Sequence, residues 1–420
     1  MLFVYRVIIN FIIILSPIII LFRLFKGKEH PIRFKEKFSL ASEKRTHGNL
    51  VWFHGSSVGE LLSIIPLIKK LEKNPKIQKI LVTSSTLSSA SIIKKFKLTK
   101  TVHQFFPIDS KTFTDRFLKY WKPSLAIFIE SEIWPNMFFN IKSKKIPLIL
   151  LNARITQKTF KNWRKIKQFS NFIFSKIDFA YPQNFETKNY LKALKVSNIK
   201  LIGNLKFTES KEEKIITLNK SLLKQFKKRK IWCAASTHSN EESICANVHL
   251  KLKKKYNNLL TIIIPRHIHR TNEIKNLIQK IGLSVITRSS NEKISKNTDV
   301  YIVDTYGEAE KFYKVSNTVF LGGSLINRGG QNPIEAARLG SSIIHGPNVD
   351  NFKEVYRLFR DKKISHSVKN FYKLNKLIDK LIRTNKKNNK YLKIKKIGNQ
   401  ILLKTTDEIN KLLTNEIKKT

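Results

Sequence analysis

Cysteines and acidic residues are both scarce in this chain of 420 residues. The two cysteines, Cys233 and Cys245, have neither metal-binding nor redox spacing. We therefore expect ordinary interior thiols of a protein from a reducing compartment. No cluster of His, Cys, Asp or Glu has the spacing of a metal site, so the sequence predicts none.

Aspartate and glutamate together number 30, against 80 lysines and arginines, which gives a formal net charge of +50. A charge this large suggests nucleic acid or an anionic membrane as the partner. The lysines are nevertheless spread along the whole chain, which also fits a drift in amino-acid usage. Zinc-finger spacing, an RRM signature and a basic-aromatic block are all missing, so no nucleic-acid partner is predicted. A membrane-anchored nucleic-acid-binding protein remains a rival that only the charge supports.

The longest apolar run covers residues 7–22, between Arg6 and Arg23. As a helix it would span roughly 24 Å, and snorkelling arginines at both ends could make up the remaining thickness of a bilayer. The rival is a cleaved signal peptide, but no small-residue cleavage site follows. The basic residues after the run place the rest of the chain on the cytoplasmic side. We predict a retained membrane anchor at residues 1–25.

From about residue 48 the pattern alternates between strand and helix, which predicts an α/β fold with doubly wound parallel sheets. The pattern restarts after the polar run 210–214, so we expect two Rossmann-like domains facing a cleft, at residues 26–209 and 210–420. As an alternative, the last helix packs back on the first domain. The predicted strands are 50–54, 79–83, 125–129, 147–151, 178–181 and 200–202, then 231–235, 260–264, 283–287, 299–303, 318–321 and 341–344.

Charged residues follow several strands of the first set. Glu60 lies just beyond strand 50–54, where a carboxylate could take a proton from a substrate. The alternative is that it only complements a helix dipole. Glu130 and Glu132 follow strand 125–129, and a capping role is equally open for either. Lys206 would put a cation at the same sheet edge, unless it is simply a solvated lysine.

The second set of strands is followed by glycines and nucleotide-binding residue types. Gly329 and Gly330 precede a predicted helix, where backbone N–H groups can approach a phosphate. Pro333 suits the first turn of that helix, and Glu335 could accept hydrogen bonds from a ribose. Arg266 ends another strand of the same predicted sheet. Together these residues favour a site for a phosphate and a ribose, as in a nucleotide.

Ten motifs, in order along residues 48–355, together resemble the Kdo transferases. These enzymes attach 3-deoxy-D-manno-octulosonic acid (Kdo) from CMP-Kdo to lipid A precursors. The sequence departs from the family where Gly55 replaces a frequent Ala, where Ile268-His269 replaces Pro-Glu, and where Gln331 replaces a frequent His. The motifs are residues 54–60, 130–136, 152–156, 203–207, 236–238, 265–267, 304–308, 322–324, 329–335 and 346–352.

The resemblance implies an inverting glycosyltransferase of the GT-B type, whose first domain takes the lipid acceptor and whose second takes CMP-Kdo. It implies that Glu60 is the catalytic base and that Glu130 and Lys206 stabilise the transition state. It also implies that the enzyme needs no cofactor. The enzyme would act on a lipid A precursor at the cytoplasmic face of the inner membrane. The alternative is another membrane-associated GT-B enzyme that uses a UDP-sugar. The implied donor contacts are Pro265, Arg266, Tyr306, Gly307, Glu308, Asn332, Pro333, Ile334 and Glu335.

Overall fold

The computed structural model describes residues 1–208, 217–227, 229–384 and 390–417. The chain forms two compact units, one of Met1–Ser210 with Gly398–Thr420 and one of Lys211–Ile397. The predicted domain boundary and the polar run 210–214 lie outside the described residues. Each unit contains one seven-stranded parallel sheet, which confirms the predicted α/β fold with two Rossmann-like sheets.

The sheet of the first unit has the strand order β3-β2-β1-β4-β5-β6-β7. The strand order reverses between β1 and β4, and ligands bind outside the carboxyl ends of strands at such a point. Its strands are β1 (Leu50–His54), β2 (Lys79–Ser84), β3 (Thr101–Phe105), β4 (Leu125–Ile129), β5 (Leu148–Ala153), β6 (Phe179–Pro182) and β7 (Asn198–Ile199). The helices between them are α2 (Val58–Leu71), α3 (Leu87–Lys94), α4 (Lys111–Trp121), α5 (Pro135–Ser143), α6 (Gln157–Lys165), α7 (Lys167–Phe174) and α8 (Phe185–Ala193).

Two edge strands of this sheet differ from the prediction. β3 was not predicted, because His103 and Gln104 interrupt its apolar pattern. Both side chains form hydrogen bonds within the unit. His103 is bonded to the hydroxyl of Ser84, and Gln104 accepts from Trp121 Nε1. The prediction of a strand at 200–202 is wrong. The residues that pair with β6 are Asn198 and Ile199, and the chain then turns at Gly203, which has a φ of 118°.

The sheet of the second unit has the order β10-β11-β9-β8-β12-β13-β14 and reverses between β8 and β12. Its strands are β8 (Lys230–Thr237), β9 (Leu259–Pro265), β10 (Val285–Thr287), β11 (Val300–Ile302), β12 (Thr318–Leu321), β13 (Ser342–His345) and β14 (Ser365–Ser367). The helices are α9 (Lys220–Phe226), α10 (Glu241–Lys253), α11 (Thr271–Lys280), α12 (Ala309–Val315), α13 (Ile334–Arg338), α14 (Lys353–Asp361) and α15 (Phe371–Thr384). The polar Ser-His-Ser strand β14 was not predicted, because it has no apolar alternation.

Buried apolar strands form the core of each sheet. Every residue of β1 and β4 is buried, which is typical of strands covered on both faces. The large side chains of the first core include Trp52 and Phe128, and those of the second include Trp232 and Phe320. These rigid strands fix the positions of the loops at their carboxyl ends.

Two long helices lie outside the alternating pattern. The N-terminal helix α1 (Leu2–Phe25) is long and apolar enough to cross a membrane. The last helix, α16 (Lys390–Ile417), belongs from Gly398 onward to the first unit. There Asn410 accepts a hydrogen bond from Asn74, and Glu408 forms an ion pair with Lys200.

Candidate active site

Glu60 lies in the first turn of α2, directly beyond the central strand β1. The hydroxyl of Ser57, the N-cap residue, accepts a hydrogen bond from the backbone N–H of Glu60 at 3.3 Å and donates one to Glu60 Oε1 at 2.9 Å. The backbone N–H of Ser56 donates to Oε2 at 2.8 Å. The pair of bonds between Ser57 and Glu60 resembles a capping box, except that the backbone N–H bound by the Glu60 carboxylate belongs to Ser56 rather than to the N-cap residue. Glu60 therefore also helps to hold the start of α2.

The environment of Glu60 also suits a general base. Partial burial raises the pKa of this carboxyl, the Glu132 carboxylate raises it further, and Glu130 adds to the effect. The hydrogen bonds from Ser57 and Ser56 act in the opposite direction. A base with a raised pKa holds a proton more firmly than an ordinary glutamate, which favours proton transfer from a sugar hydroxyl.

Glu132 is the centre of a hydrogen-bond network that the sequence did not predict. Its Oε2 accepts bonds from His54 Nε2 at 3.2 Å, Ser56 Oγ at 2.7 Å and Trp134 Nε1 at 2.9 Å. Although burial acts to raise it, these bonds hold the pKa of Glu132 below its usual value. The side chain is therefore a carboxylate that fixes the loops after β1 and β4 to each other.

His54 is fully buried, and burial lowers its pKa even though the bond to Glu132 opposes the effect. The neutral ring donates from Nε2 to Glu132, so its Nδ1 accepts from the hydroxyl of Thr83 at 3.0 Å. Trp52 Nε1 in turn donates to the same hydroxyl oxygen at 2.9 Å. This chain of bonds extends from the core of the sheet to the carboxylate at its edge.

Glu130 and Lys206 form an ion pair at the same edge of the sheet. The two charged atoms, Lys206 Nζ and Glu130 Oε1, lie 2.5 Å apart. Glu130 is only 7% exposed and has a φ of 55°, a left-handed conformation that is uncommon for a side-chain-bearing residue. Strained backbone of this kind clusters at functional sites.

Asparagines position the short 3-10 helix Leu205–Phe207, which carries Lys206. Asn152 also has a left-handed φ, of 52°, and its Oδ1 accepts from the backbone N–H of Leu205 at 3.0 Å. Asn204 Oδ1 accepts from the N–H of Lys206 at 2.9 Å. The last helix packs against this loop, because a Cβ on Gly398 would lie 2.2 Å from the carbonyl oxygen of Phe207.

At the edge of the second sheet, Glu241 holds the loop that follows β12. It is fully buried, and its two oxygens accept four backbone N–H bonds, from His238, Gly323, Ser324 and Leu325, at 2.7–3.1 Å. A carboxylate saturated in this way is not available for catalysis. In the sequence, Glu241 is recognisable only as one of two adjacent acids at the start of a predicted helix.

The Gly329-Gly330 turn is held in place by Asn351, whose side-chain amide donates to the carbonyl of Arg328 at 3.0 Å. Both glycines have positive φ, and a Cβ on Gly329 would lie 2.6 Å from that amide nitrogen. The N–H of Gly330 already donates to Gly323 at 2.9 Å. Phosphate binding by this turn therefore stays a prediction, and that N–H group is not available for it.

Basic side chains lie around His238, beside the Gly322-Gly323 turn that follows β12. His238 lies against Gly323 and Gln331, and its Nε2 is buried without a hydrogen-bond partner within the described ranges. Burial and then the positive charges of His267, Arg328 and Arg266 lower the pKa of His238. Arg266 is exposed, and its backbone N–H donates to Thr237 at 3.0 Å, next to the buried Pro265.

Tyr306, Gly307 and Glu308 form the loop after β11. Tyr306 is 79% exposed, and Gly307 has a φ of 77°. Glu308 contacts Arg288 at 3.1 Å, Lys311 at 2.7 Å and Thr305. Although burial opposes it, these bonds lower the pKa of Glu308 to about 2, so this loop is stabilised by an ion-pair cluster.

The remaining predicted donor contacts lie at the start of α13. Asn332 Oδ1 accepts from the N–H of Ile334 at 3.1 Å. Pro333 and Ile334 are buried, whereas Glu335 is exposed. Because α13 has only five residues, its dipole would contribute little to the binding of a phosphate. No group of three or more potential metal ligands occurs among the described residues.

The two Rossmann-like units have the fold of the GT-B type. Solved UDP-N-acetylglucosamine 2-epimerases share it. The putative enzyme from Listeria monocytogenes is 12% identical, with a TM-score of 0.61 over 87% of this chain and 98% of that one. The enzyme from Neisseria meningitidis is 14% identical, with a TM-score of 0.58 over 88% of this chain and 100% of the other. At such identities the likeness concerns the fold alone.

Proteins that are similar in sequence identify the family of this chain. Residues 32–209 match the family model described as 3-deoxy-D-manno-octulosonic-acid transferase (kdotransferase). The transferase of that name from Rickettsia bellii is 34% identical over 373 residues, 88% of each chain. The one from Haemophilus influenzae is 30% identical over 359 residues, 83% of each chain. The chain belongs to the 3-deoxy-D-manno-octulosonic acid transferase family, and the predicted glycosyltransferase class is confirmed.

Proposed function

We propose that this enzyme transfers Kdo from CMP-Kdo to a lipid A precursor, lipid IVA, during synthesis of the lipopolysaccharide core. The observation that carries the proposal is the half-buried Glu60, whose pKa is raised at the carboxyl edge of the first sheet. Membership of the family supports Kdo as the sugar that is transferred. The enzyme works at the cytoplasmic face of the inner membrane, held by its N-terminal helix.

In the proposed reaction, Glu60 takes the proton of an acceptor sugar hydroxyl while that oxygen attacks the anomeric carbon of Kdo. The bond from this carbon to the phosphate oxygen breaks, its electrons leave with CMP, and the configuration inverts. Glu130 and Lys206 stabilise the charge that develops at the acceptor side. No metal is required, because exposed cations such as Arg266 can neutralise the leaving phosphate.

The test is to incubate the purified enzyme with tetraacylated lipid A precursor and either CMP-Kdo or UDP-sugars. Mass spectrometry then identifies and counts the added sugars. We expect products from CMP-Kdo alone. Products from a UDP-sugar alone would support the other GT-B enzyme considered from the sequence and would contradict the proposal.

The donor site is tested by Arg266→Ala and Glu335→Ala. We expect a KM for CMP-Kdo that rises by about 10–100-fold, the effect of losing a hydrogen bond to a charged group, with lipid binding nearly unchanged. Arg360→Ala is the control, because that arginine is 70% exposed in the same unit. An equal loss of lipid binding would mean that donor and acceptor have been assigned to the wrong units.

A further inference from the structure

Helix α1 exposes an apolar face along its entire length. Thirteen of its apolar side chains are exposed, far more than isolated surface residues would require. Within the described part of the chain nothing covers them. They are Phe3, Val4, Val7, Ile8, Phe11, Ile12, Ile14, Leu15, Ile18, Ile19, Leu21, Phe22 and Phe25.

The opposite face of the same helix is covered. Its less exposed residues recur every three or four positions, which places them on one side of an α-helix. Ser16 and Ile20 on this face are only 4% and 7% exposed. The other members of this face are Leu2, Tyr5, Arg6, Ile9, Ile13, Arg23 and Leu24.

The beginning of α1 is attached to the first unit. The hydroxyl of Tyr5 donates to Asp109 Oδ2 at 2.7 Å, and Arg6 Nε donates to Asn136 Oδ1 at 3.0 Å. The Arg6 guanidinium also lies 5.0 Å from the ring centre of Phe139. Asp109 in turn accepts from the backbone N–H of Asn136 in the first turn of α5 at 3.0 Å, so the contact is with a hydrogen-bonded part of the unit.

The end of α1 is attached to the same unit. Arg23 pairs with the buried Glu29 at 3.0 Å, and Lys37 pairs with the same carboxylate at 2.6 Å. Lys37 belongs to the 3-10 helix Arg33–Phe38, in which Glu36 accepts from the backbone N–H of Phe105 in β3 at 2.7 Å. Both ends of the helix therefore meet one folded unit.

These attachments determine how the helix can meet a membrane. Its 24 residues extend over about 36 Å, more than the ~30 Å hydrocarbon core of a bilayer. A crossing helix would have its two ends on opposite sides of the membrane. A helix whose two ends both contact one folded unit must instead lie along the surface of that unit.

We propose that α1 lies flat in the interface of an anionic lipid leaflet, with its covered face on the first unit and its exposed apolar face among the acyl chains. The exposed Lys26, Lys28 and Lys35, just beyond the helix, supply the positive charge that anionic headgroups attract. The occupant of the apolar face is therefore lipid, and the helix is a monotopic anchor.

This geometry has a consequence for the acceptor, which rests on the proposed function. Asn136 lies in the first turn of α5, directly after the loop that carries Glu130 and Glu132. The bond from Arg6 therefore holds this loop next to the start of the embedded helix. A sugar headgroup can then reach the carboxylates while its acyl chains stay in the leaflet.

The test measures how deep each position of α1 lies in a lipid bilayer. Single cysteines at Phe3, Phe11, Ile18 and Phe25 on the exposed face, and at Ile9 and Ile13 on the covered face, are labelled with a nitroxide. The protein is bound to phosphatidylcholine–phosphatidylglycerol vesicles, and collisions with oxygen and with a nickel chelate are measured by EPR. The wild-type chain is the labelling control, because Cys233 and Cys245 are buried.

We expect the four exposed-face labels to report one shallow depth, about 5–10 Å below the headgroups, and the covered-face labels to be protected from both reagents. A depth maximum near residues 11–13, with residues 3 and 25 both in water, would establish a crossing helix and overturn the proposal. Protection of the exposed face without lipid, together with dimers in light scattering, would assign that face to a second copy and would also overturn it.

A second variant tests the attachment without affecting lipid binding. Tyr5→Phe keeps the ring and removes the bond to Asp109. We expect a two- to tenfold lower turnover of acceptor in vesicles, with vesicle binding and turnover in detergent unchanged. Tyr190→Phe, which removes a tyrosine–carboxylate bond of the same length to Glu186 within one helix, is the control. An identical loss in detergent would contradict the positioning role. Because the depth profile needs no turnover, it stands even if the sugar has been wrongly assigned.

Discussion

The helices that follow the first strand of each sheet both carry a glutamate in their first turn, and the two glutamates differ in their surroundings. Glu60 is half-buried and accepts two hydrogen bonds, from Ser57 and the backbone of Ser56. Glu241 is fully buried and accepts four backbone N–H bonds. The first keeps unused lone pairs and partial access to solvent, whereas the second has become part of the scaffold. Exposure and the number of donors thus separate a candidate base from a structural carboxylate.

The largest expected effect is that of Glu60→Gln, which keeps the size and an acceptor oxygen but cannot take a proton. We expect kcat to fall by about 10²–10⁴-fold, with donor and acceptor binding little changed. Steady-state and binding measurements together check this. Glu72→Gln, near the other end of α2, should leave turnover normal. Near-normal turnover of Glu60→Gln with a lowered melting temperature would reduce Glu60 to a capping residue, and Glu130→Gln would then be the next variant to assay.

Glu241→Gln tests the other side of the comparison. A glutamine amide would point N–H groups at backbone N–H donors, so at least one buried donor would lose its partner. We expect a loss of about 1–3 kcal/mol in the free energy of unfolding, with kcat much less affected than by Glu60→Gln. Urea denaturation measures the loss. Glu273→Gln, at a side chain 59% exposed, is the control and should have almost no effect. A stable but inactive Glu241→Gln enzyme would contradict the structural role.

The carboxylates of the first sheet edge should also be coupled in their pH dependence. Burial and the charge of Glu132 raise the pKa of Glu60, so turnover should fall on the acid side at a higher pH than for an ordinary glutamate. Glu132→Gln removes that repulsion and should move the acid limb of the kcat profile to lower pH. If the acid limb lies at the same pH in the wild-type enzyme and in Glu132→Gln, Glu60 is not the titrating base.

The smallest effect is expected from Gly55→Ala. At this position the motif of the Kdo transferases often has alanine. An added Cβ would lie 3.3 Å from the Cβ of Glu60, so a shift of a few tenths of an ångström suffices. The loss of unfolded-state freedom offsets this strain, and we expect stability to change by less than about 1 kcal/mol. Thermal melting and turnover at saturation check it. A large loss of turnover with unchanged stability would mean that Glu60 tolerates no displacement.

The fold was predictable because the central strands are apolar and long, as β1 and β4 illustrate. The edge strands β3 and β14 were missed, since their polar side chains depend on partners far away in sequence. The position of Glu60 follows from a strand, a tight loop and a helix start. The network around Glu132 could not be predicted, because it joins His54 and Trp134 across a reversal in strand order. Nor does sequence spacing indicate that Glu241 would bind the loop after β12.

The return of the last helix to the first unit has a consequence for biosynthesis. The loop that carries Lys206 is packed by Gly398 and Ile401, which are translated after the whole of the second unit. At about 5–20 residues per second, the ribosome needs on the order of ten seconds or more to make the intervening segment. During that interval the nascent first unit lacks the helix that covers this loop. Completion of this sheet edge, the candidate catalytic edge, is thus one of the last events in the synthesis of the chain.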